Sequence, residues 1–69
     1  MDKLTFDEAM LLAKAVAYAL GDRNVSFNNA DKELAVSRLK KIADQRLDWT
    51  LQQKEQYKAL LDICSELSS

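Results

Sequence analysis

The scarcity of turn-forming residues is the strongest constraint on how this chain folds. Its 69 residues include no proline and a single glycine, Gly21. Because proline and glycine most often interrupt regular structure, their scarcity favours long helices joined by a few polar turns. The length allows one domain, so residues 1–69 are predicted to form a single helical domain.

Capping patterns predict where two of the helices begin. Thr5 and Glu8 form a capping box, in which a hydroxyl and a carboxylate each satisfy a backbone amide of the first turn. Thr50 and Gln53 repeat this pattern, and Trp49 occupies the preceding position of a hydrophobic staple. Together with the apolar periodicity, these patterns predict an all-α chain. The three predicted helices cover about residues 6–20, 30–47 and 51–67.

Helices 2 and 3 each carry an apolar stripe of ordinary width, spanning arcs of about 140° and 160°. Such stripes are typical of helices that face a core on one side. The stripe of helix 2 is predicted to contain Ala35, Val36, Leu39, Ile42, Ala43 and Leu47. The stripe of helix 3 is predicted to contain Tyr57, Leu60, Leu61, Ile63, Cys64 and Leu67. Within it, Cys64 is expected to be a buried structural thiol.

Helix 1 is apolar over about 260°, which is more than two neighbouring helices can cover. The residues expected to face those helices are Phe6, Ala9, Met10, Ala13, Val16, Ala17 and Leu20. Leu11, Leu12, Ala15 and Ala19 are left without a partner in the monomer. The sequence therefore predicts a homodimer in which these four residues are in contact across an interface built on helix 1.

Surface arithmetic favours the same assembly. A monomer of 7.8 kDa should expose about 4,400 Å². Burial of apolar surface should stabilise the fold by about 100 kcal/mol, and the entropy lost on ordering the chain should cost about as much. The folded monomer is therefore expected to have little net stability. Small domains of this kind are usually stabilised by disulfides, metals or oligomerisation. With Cys64 as its single cysteine and no histidine, the chain can form neither an internal disulfide nor a zinc site, so oligomerisation is the remaining source of stability.

The composition argues against several classes of function. Without histidine and with one glycine, the chain cannot build the usual catalytic triads, histidine–metal sites or glycine-rich phosphate loops. We therefore expect no enzymatic activity, no metal and no cofactor. The net charge of −1 argues against nucleic-acid and membrane partners. The apolar stretch Met10–Leu20 is too short to span a bilayer and lacks a basic flank, so a cytoplasmic location is expected.

The connection between helices 1 and 2 is the first candidate for a partner-binding site. The segment Gly21–Asn29 begins with the glycine expected to end helix 1 in a left-handed conformation, and its asparagines can cap helix 2. Arg23 and Phe27 are predicted to contact a partner, because interfaces favour arginine and aromatic anchors. The alternative is that Val25 and Phe27 close the open end of the core.

Two residues near the second connection also have alternative interpretations. Trp49 is predicted as a third, weaker partner contact, although it could instead cover the corner between helices 2 and 3. Arg46 lies inside the apolar arc of helix 2. It is expected either to extend to solvent from the helix end or to pair across the dimer.

A DNA-binding interpretation rests on the start of helix 3. The segment 50–56 is polar and rich in glutamine, as in a helix-turn-helix recognition helix, and helix 2 contributes Arg38, Lys40 and Lys41. Against it, the corner has no glycine and the whole chain is acidic. A small DNA-binding repressor is therefore one alternative, and an antitoxin-like or scaffold module is another.

In size and character the chain resembles the small helical inhibitors encoded by bacteriophages, such as Pseudomonas phage anti-quorum-sensing and anti-CRISPR proteins. The shared features are a very short, acidic, all-helical chain and an oversized apolar helix, so no individual residue is carried over. The resemblance implies a protein that blocks a functional surface of a host regulatory protein stoichiometrically. A transcription factor's DNA-binding domain is one such surface.

Overall fold

The computed structural model describes residues 4–68, which form three helices connected by a loop and a short corner. The helices are α1 (Phe6–Gly21), α2 (Asn29–Asp44) and α3 (Leu51–Ser68). Phe6 contacts Trp49 just before α3, and Gly21 lies beside Leu67 near its end, so α1 and α3 run in the same direction. The predicted all-α, three-helix fold is confirmed, and no strand occurs within residues 4–68.

The predicted capping box at the start of α1 is present. The Thr5 hydroxyl accepts a hydrogen bond from the Glu8 amide at 3.1 Å, and the Glu8 carboxylate accepts one from the Thr5 amide at 2.9 Å. This second bond stabilises the carboxylate, so the pKa of Glu8 is lowered from its ordinary value. Two of the amides that a helix start leaves unpaired are thereby satisfied.

Caps also define the starts of α2 and α3. The Asn28 side chain accepts from the Asp31 amide at 2.8 Å, so α2 begins at Asn29. Thr50 and Gln53 form the second capping box, with hydrogen bonds of 3.0 and 3.1 Å. The sequence therefore located both starts to within one residue.

The end of α2 was predicted incorrectly. The helix stops at Asp44 rather than at Leu47, and the Leu47 side chain is 87% exposed instead of buried. In the corner that follows, the Arg46 guanidinium donates two hydrogen bonds of 2.9 Å to Asp48 and lies over the Trp49 ring at 5.3 Å. Arg46 therefore does not extend to solvent, and it forms an ion pair within its own chain. It holds the corner that ends α2.

Gly21 also differs from its prediction. It is the last residue of α1, and no described residue has a positive φ. The next residue, Asp22, is extended and donates its amide to the Ala19 carbonyl at 3.3 Å. Its side chain accepts from the Asn24 amide at 2.9 Å. Asp22 thus ends the helix by bonding both sides of the turn, and a left-handed glycine is not needed.

Tyr57 of α3 joins the other elements of the core. Its hydroxyl donates to the Leu39 carbonyl of α2 at 2.9 Å, and its ring lies 5.1 Å from that of Trp49. Trp49 in turn meets Phe6 of α1 edge to face, with 5.3 Å between ring centroids. One aromatic cluster therefore connects all three helices at the end of the molecule where α1 and α3 begin.

The buried core is small, and α1 contributes only alanines to it. The buried residues are Ala9, Ala13, Val36, Leu39, Trp49, Tyr57, Leu61 and Cys64. The other residues of α1 predicted to face inward are partly buried and packed against this core. The predicted stripe of helix 3 was too wide, because Ile63 and Leu67 lie at its edge and remain exposed.

Cys64 is buried as predicted. Its thiol lies 3.7 Å from the Ala13 carbonyl oxygen, to which it donates. Burial raises the pKa of this thiol, because the thiolate would lose its solvation. The short distance to the backbone of α1 is possible because position 13 is an alanine.

Replacing Gly21 with alanine should stabilise the protein. The added Cβ would meet only the Leu67 Cδ1 atom, at an ordinary contact distance of 3.9 Å. Since the backbone is helical here, Gly21→Ala should raise the free energy of unfolding by about 0.5–1 kcal/mol. Urea denaturation followed by circular dichroism measures this. A loss of stability would instead indicate the left-handed conformation at position 21.

Tyr57→Phe should separate the hydroxyl of Tyr57 from its ring. At pH 7 the lost hydrogen bond should lower the free energy of unfolding by about 1 kcal/mol. Burial and, to a smaller extent, the charge of a Cys64 thiolate together raise the pKa of Tyr57 from 10.0 to about 12. Folding therefore favours the neutral phenol. The stability that this preference contributes is fully present below pH 10 and is lost as the pH rises towards 12.

The two proteins should therefore be compared by urea denaturation at pH 7 and pH 11. Cys64 also loses stability in alkali, but that loss is common to both proteins. The wild type should lose more stability between the two pH values than Tyr57→Phe. An equal loss would mean that Tyr57 ionises as freely in the folded chain as in the unfolded one.

Candidate interaction surfaces

The outward side of α1 is an exposed apolar surface. We call it the α1 outer face, and it consists of Leu11, Leu12, Ala15, Tyr18 and Ala19. Leu11 is 68% exposed, Leu12 41% and Tyr18 78%. The four residues predicted for the dimer interface thus lie together on one side of α1, and none of them is buried within the chain. Tyr18, one helical repeat after Leu11, belongs to the same surface.

The α1 outer face continues into a groove against α2. Leu12 and Val16 of α1 line this groove together with Leu39 and Ile42 of α2. Arg38 and Lys41 of α2 also line it. The full set of lining residues is Leu12, Val16, Ala35, Arg38, Leu39, Lys41, Ile42 and Gln45. The exposed apolar area is therefore wider than one helix, with two cations along one margin.

The loop after α1 places Arg23 beside Tyr18. A turn closed by the Val25 amide and the Asp22 carbonyl, at 3.2 Å, holds the start of the loop. Tyr18, Asp22 and Arg23 then line one shallow depression at the end of α1. Arg23 is exposed, and no described carboxylate lies within ion-pair distance of it. The loop and the α1 outer face therefore meet at a tyrosine and an arginine.

The two apolar residues of the loop are not core residues. Val25 is exposed and Phe27 is half-buried. Neither belongs to the core cluster, or to the partly buried residues packed against it, in the described part of the chain. The interpretation of the pair as a plug of the core thus has no support from the packing. The partner-contact role of Arg23 and Phe27 stays a prediction.

Trp49 is in the core rather than on the surface, so its prediction as a partner contact is corrected. Its side chain is enclosed by the rings of Phe6 and Tyr57 and by the guanidinium of Arg46, and the residue is 6% exposed. It covers the corner between α2 and α3, as the alternative interpretation proposed. An indole in this position stabilises the fold and offers no surface to a partner.

A second groove lies between α2 and α3, on the side where no residue of α1 contributes. It has a volume of about 530 Å³ and is open along one side. Its lining residues are Lys40, Ala43, Asp44, Leu47, Lys54, Lys58, Leu61, Asp62 and Ser65. We call it the α2–α3 groove. The sequence grouped Lys40 with Arg38 and Lys41, but the structure places Lys40 in this groove and the other two cations in the groove on the α1 side.

The α2–α3 groove was missed by the sequence interpretation. Leu47 was placed in the core because α2 was extended too far, and it is in fact the most exposed large apolar residue among those described. Leu51, just after the corner, is also exposed. The pair Arg46 and Asp48, two positions apart and of opposite charge, was the available signal that the chain turns at this point.

Neither a metal-holding cluster nor a membrane-spanning helix is found in the described part of the chain. Among residues 4–68, no group of three or more cysteine, aspartate or glutamate side chains is placed to hold a metal ion. Within the same range, none of the helices has the length and apolar character needed to cross a membrane. The candidate interaction surfaces are the α1 outer face, the loop after α1 and the α2–α3 groove.

Comparisons of this chain with protein-family models, with curated proteins and with solved structures found no match.

Proposed function

We propose that this chain is a non-enzymatic, protein-binding inhibitor that forms a homodimer through the α1 outer face and blocks a surface of a host regulatory protein. One observation carries the proposal: α1 buries Ala9 and Ala13 completely but leaves Leu11 and Leu12 exposed. A helix that leaves two neighbouring leucines exposed on the side away from its core is suited to bind a second protein surface.

The exposed area of the chain supports a second copy as the partner of this face. The chain exposes 5310 Å², about 900 Å² more than expected for a monomer of its mass. A stable interface covers about 800 Å² on each partner, so a dimer would remove an area of this size. The radius of gyration, 12.0 Å against about 11 Å for a compact chain of this length, also reflects a flattened monomer.

The proposed site for the host protein is the loop after α1, with Arg23 on the loop side of the depression at the end of α1 and Phe27 further along the loop. Arginine and aromatic side chains are enriched at protein interfaces. Arg23 has no ion-pair partner among the described residues and is available to a carboxylate of another protein. The resemblance to small phage-encoded inhibitors supports a regulatory protein as the target, with binding in fixed stoichiometry.

Leu11→Glu tests the homodimer. A glutamate at the centre of the α1 outer face would be buried without a partner, so the dimer dissociation constant should rise by at least about thirtyfold. Sedimentation at micromolar concentration should show a dimer for the wild type and a monomer for the variant. Because Leu11 is exposed in the monomer, helicity should be retained.

Leu34→Glu is the matched control for this experiment. Leu34 is also a leucine on a helix surface, and its exposure of 64% is close to the 68% of Leu11. Its substitution should leave the dimer intact. A wild type that sediments as a monomer, or a dimer that is weakened equally by both substitutions, would overturn the proposed interface.

Arg23→Glu tests the binding site for the host protein. The immobilised protein is used to capture partners from a bacterial lysate, and the affinity of the captured protein is then measured for each variant. Reversing the charge at Arg23 should weaken the binding of the captured protein by about 2 kcal/mol, roughly thirtyfold, while helicity and dimerisation remain unchanged. Lys14→Glu, the same charge reversal at an exposed position of α1 outside the α1 outer face and the loop, should leave the affinity close to that of the wild type.

Two outcomes would contradict this part of the proposal. Equal affinity of Arg23→Glu and the wild type for the captured protein would remove the loop from the site. Recovery of a specific nucleic acid and no protein would favour a DNA-binding repressor instead. Sequence-specific binding to DNA at physiological salt, measured by a mobility shift, would then decide for that alternative.

A further inference from the structure

The α2–α3 groove has the form of a site for a helix. Ala43 and Leu61 contribute apolar surface to its lining, and Leu47 extends from the corner with 87% of its side chain exposed. Its walls are two helices fixed to each other by the Tyr57–Leu39 hydrogen bond, so the groove is present before a ligand arrives. An apolar groove between two helices is the usual receptor for the apolar face of an amphipathic helix.

The charges around the groove are arranged for an acidic ligand. Lys40, Lys54 and Lys58 line it, and none of them lies within ion-pair distance of a described carboxylate. Asp44 and Asp62 also line it, each four residues after a lysine on the same helix. In that order a lysine and an acid four residues apart on a helix interact less favourably than in the reverse order. The three ammonium groups therefore remain available to carboxylates of another molecule.

The spacing of the lysines matches that of a helical ligand. Lys54 and Lys58 are one turn apart on α3, which separates them by about 6 Å along the helix axis. Acidic residues at positions i and i+4 of a bound helix have the same separation. A ligand helix lying along the groove could thus place leucines on Ala43, Leu47 and Leu61 and carboxylates on the two lysines.

We propose that the α2–α3 groove binds an acidic amphipathic helix of another protein, with its leucines in the groove and its carboxylates on Lys40, Lys54 and Lys58. This inference deepens the proposed function, since it assumes that the chain acts by binding proteins and names the kind of segment bound. The groove contains no residue of α1, so its occupancy is independent of the dimer interface.

The test uses a synthetic, fluorescein-labelled helical peptide of about four turns with leucines on one face and glutamates elsewhere. Its affinity for the 69-residue chain is measured by fluorescence anisotropy. Two further peptides carry the same residues in scrambled order, or lysines in place of the glutamates. The acidic amphipathic peptide should bind at least about tenfold more tightly than either of them.

Variants of the protein locate the binding. The double substitution Lys54→Glu and Lys58→Glu should lower the affinity for the acidic peptide by at least about tenfold, and Leu47→Ser should lower it severalfold. All three side chains are exposed, so circular dichroism should show unchanged helicity. Lys14→Glu, a charge reversal on the exposed side of α1, is the control and should leave the affinity within about twofold.

Chemical shifts of the ¹⁵N-labelled protein add an independent location. Peptide-induced changes should cluster at Ala43, Leu47, Leu61 and Ser65. Changes confined to Leu11 and Ala15, equal affinity for the acidic and basic peptides, or no saturable binding would each overturn the inference. Displacement of the peptide by single-stranded DNA or anionic vesicles at physiological salt would overturn it as well, because it would indicate a general site for anions.

The outcome is separable from that of the proposed function. Leu11→Glu should retain full affinity for the acidic peptide, since α1 does not line the groove. If the lysine variants bind the peptide like the wild type while Arg23→Glu loses its host protein, the groove proposal fails and the proposed function stands. If the lysine variants lose the peptide while Leu11→Glu and Arg23→Glu change nothing, the groove stands and the α1 and loop surfaces fail.

Discussion

The burial of Tyr57, with its hydroxyl donating to the Leu39 carbonyl, is the interaction on which the arrangement of the helices depends. It fixes the distance between α2 and α3, because a buried hydroxyl without its acceptor would be costly. The Tyr57 ring also packs against Trp49, which enters the core from the corner after Asp44. The early end of α2 and the exposure of Leu47 thus accompany the burial of Trp49 against Tyr57.

The approach of α1 to α3 sets the second property of the molecule. Ala9 and Ala13 are fully buried, and the Cys64 thiol reaches the Ala13 carbonyl at 3.7 Å. Small side chains allow this short distance, but they bury little apolar area. Leu11 and Leu12 lie on the other side of the helix and remain exposed. The alanine contact between α1 and α3 thus goes together with an exposed leucine surface on α1, which is the basis of the proposed dimer.

The sequence predicted the parts of this structure that depend on local interactions. Both capping boxes and the inward residues of α1 follow from patterns within a few residues, and they were located correctly. The corner after α2 was not, because the burial of Trp49 depends on Phe6 and Tyr57, which are distant in sequence. Gly21 was misjudged for a related reason: Asp22 ends the helix through its own side chain, so the glycine lost its expected role. The same limit applies to the surfaces, since Leu47 lines the α2–α3 groove from a position outside the core that the helix pattern did not predict.

The two proposed binding surfaces involve different sides of the fold, and this separation has a physical origin. A three-helix chain has three outward helix faces and three grooves, and the tight α1–α3 contact leaves the other two grooves more open. The groove on the α1 side shares Leu12 with the α1 outer face, whereas the α2–α3 groove shares no residue with it. A dimer formed through α1 would therefore cover the first groove in part and leave two copies of the second exposed. A ligand with two binding segments, once held at one groove of the dimer, would meet the second groove at a raised effective concentration, without any new contact.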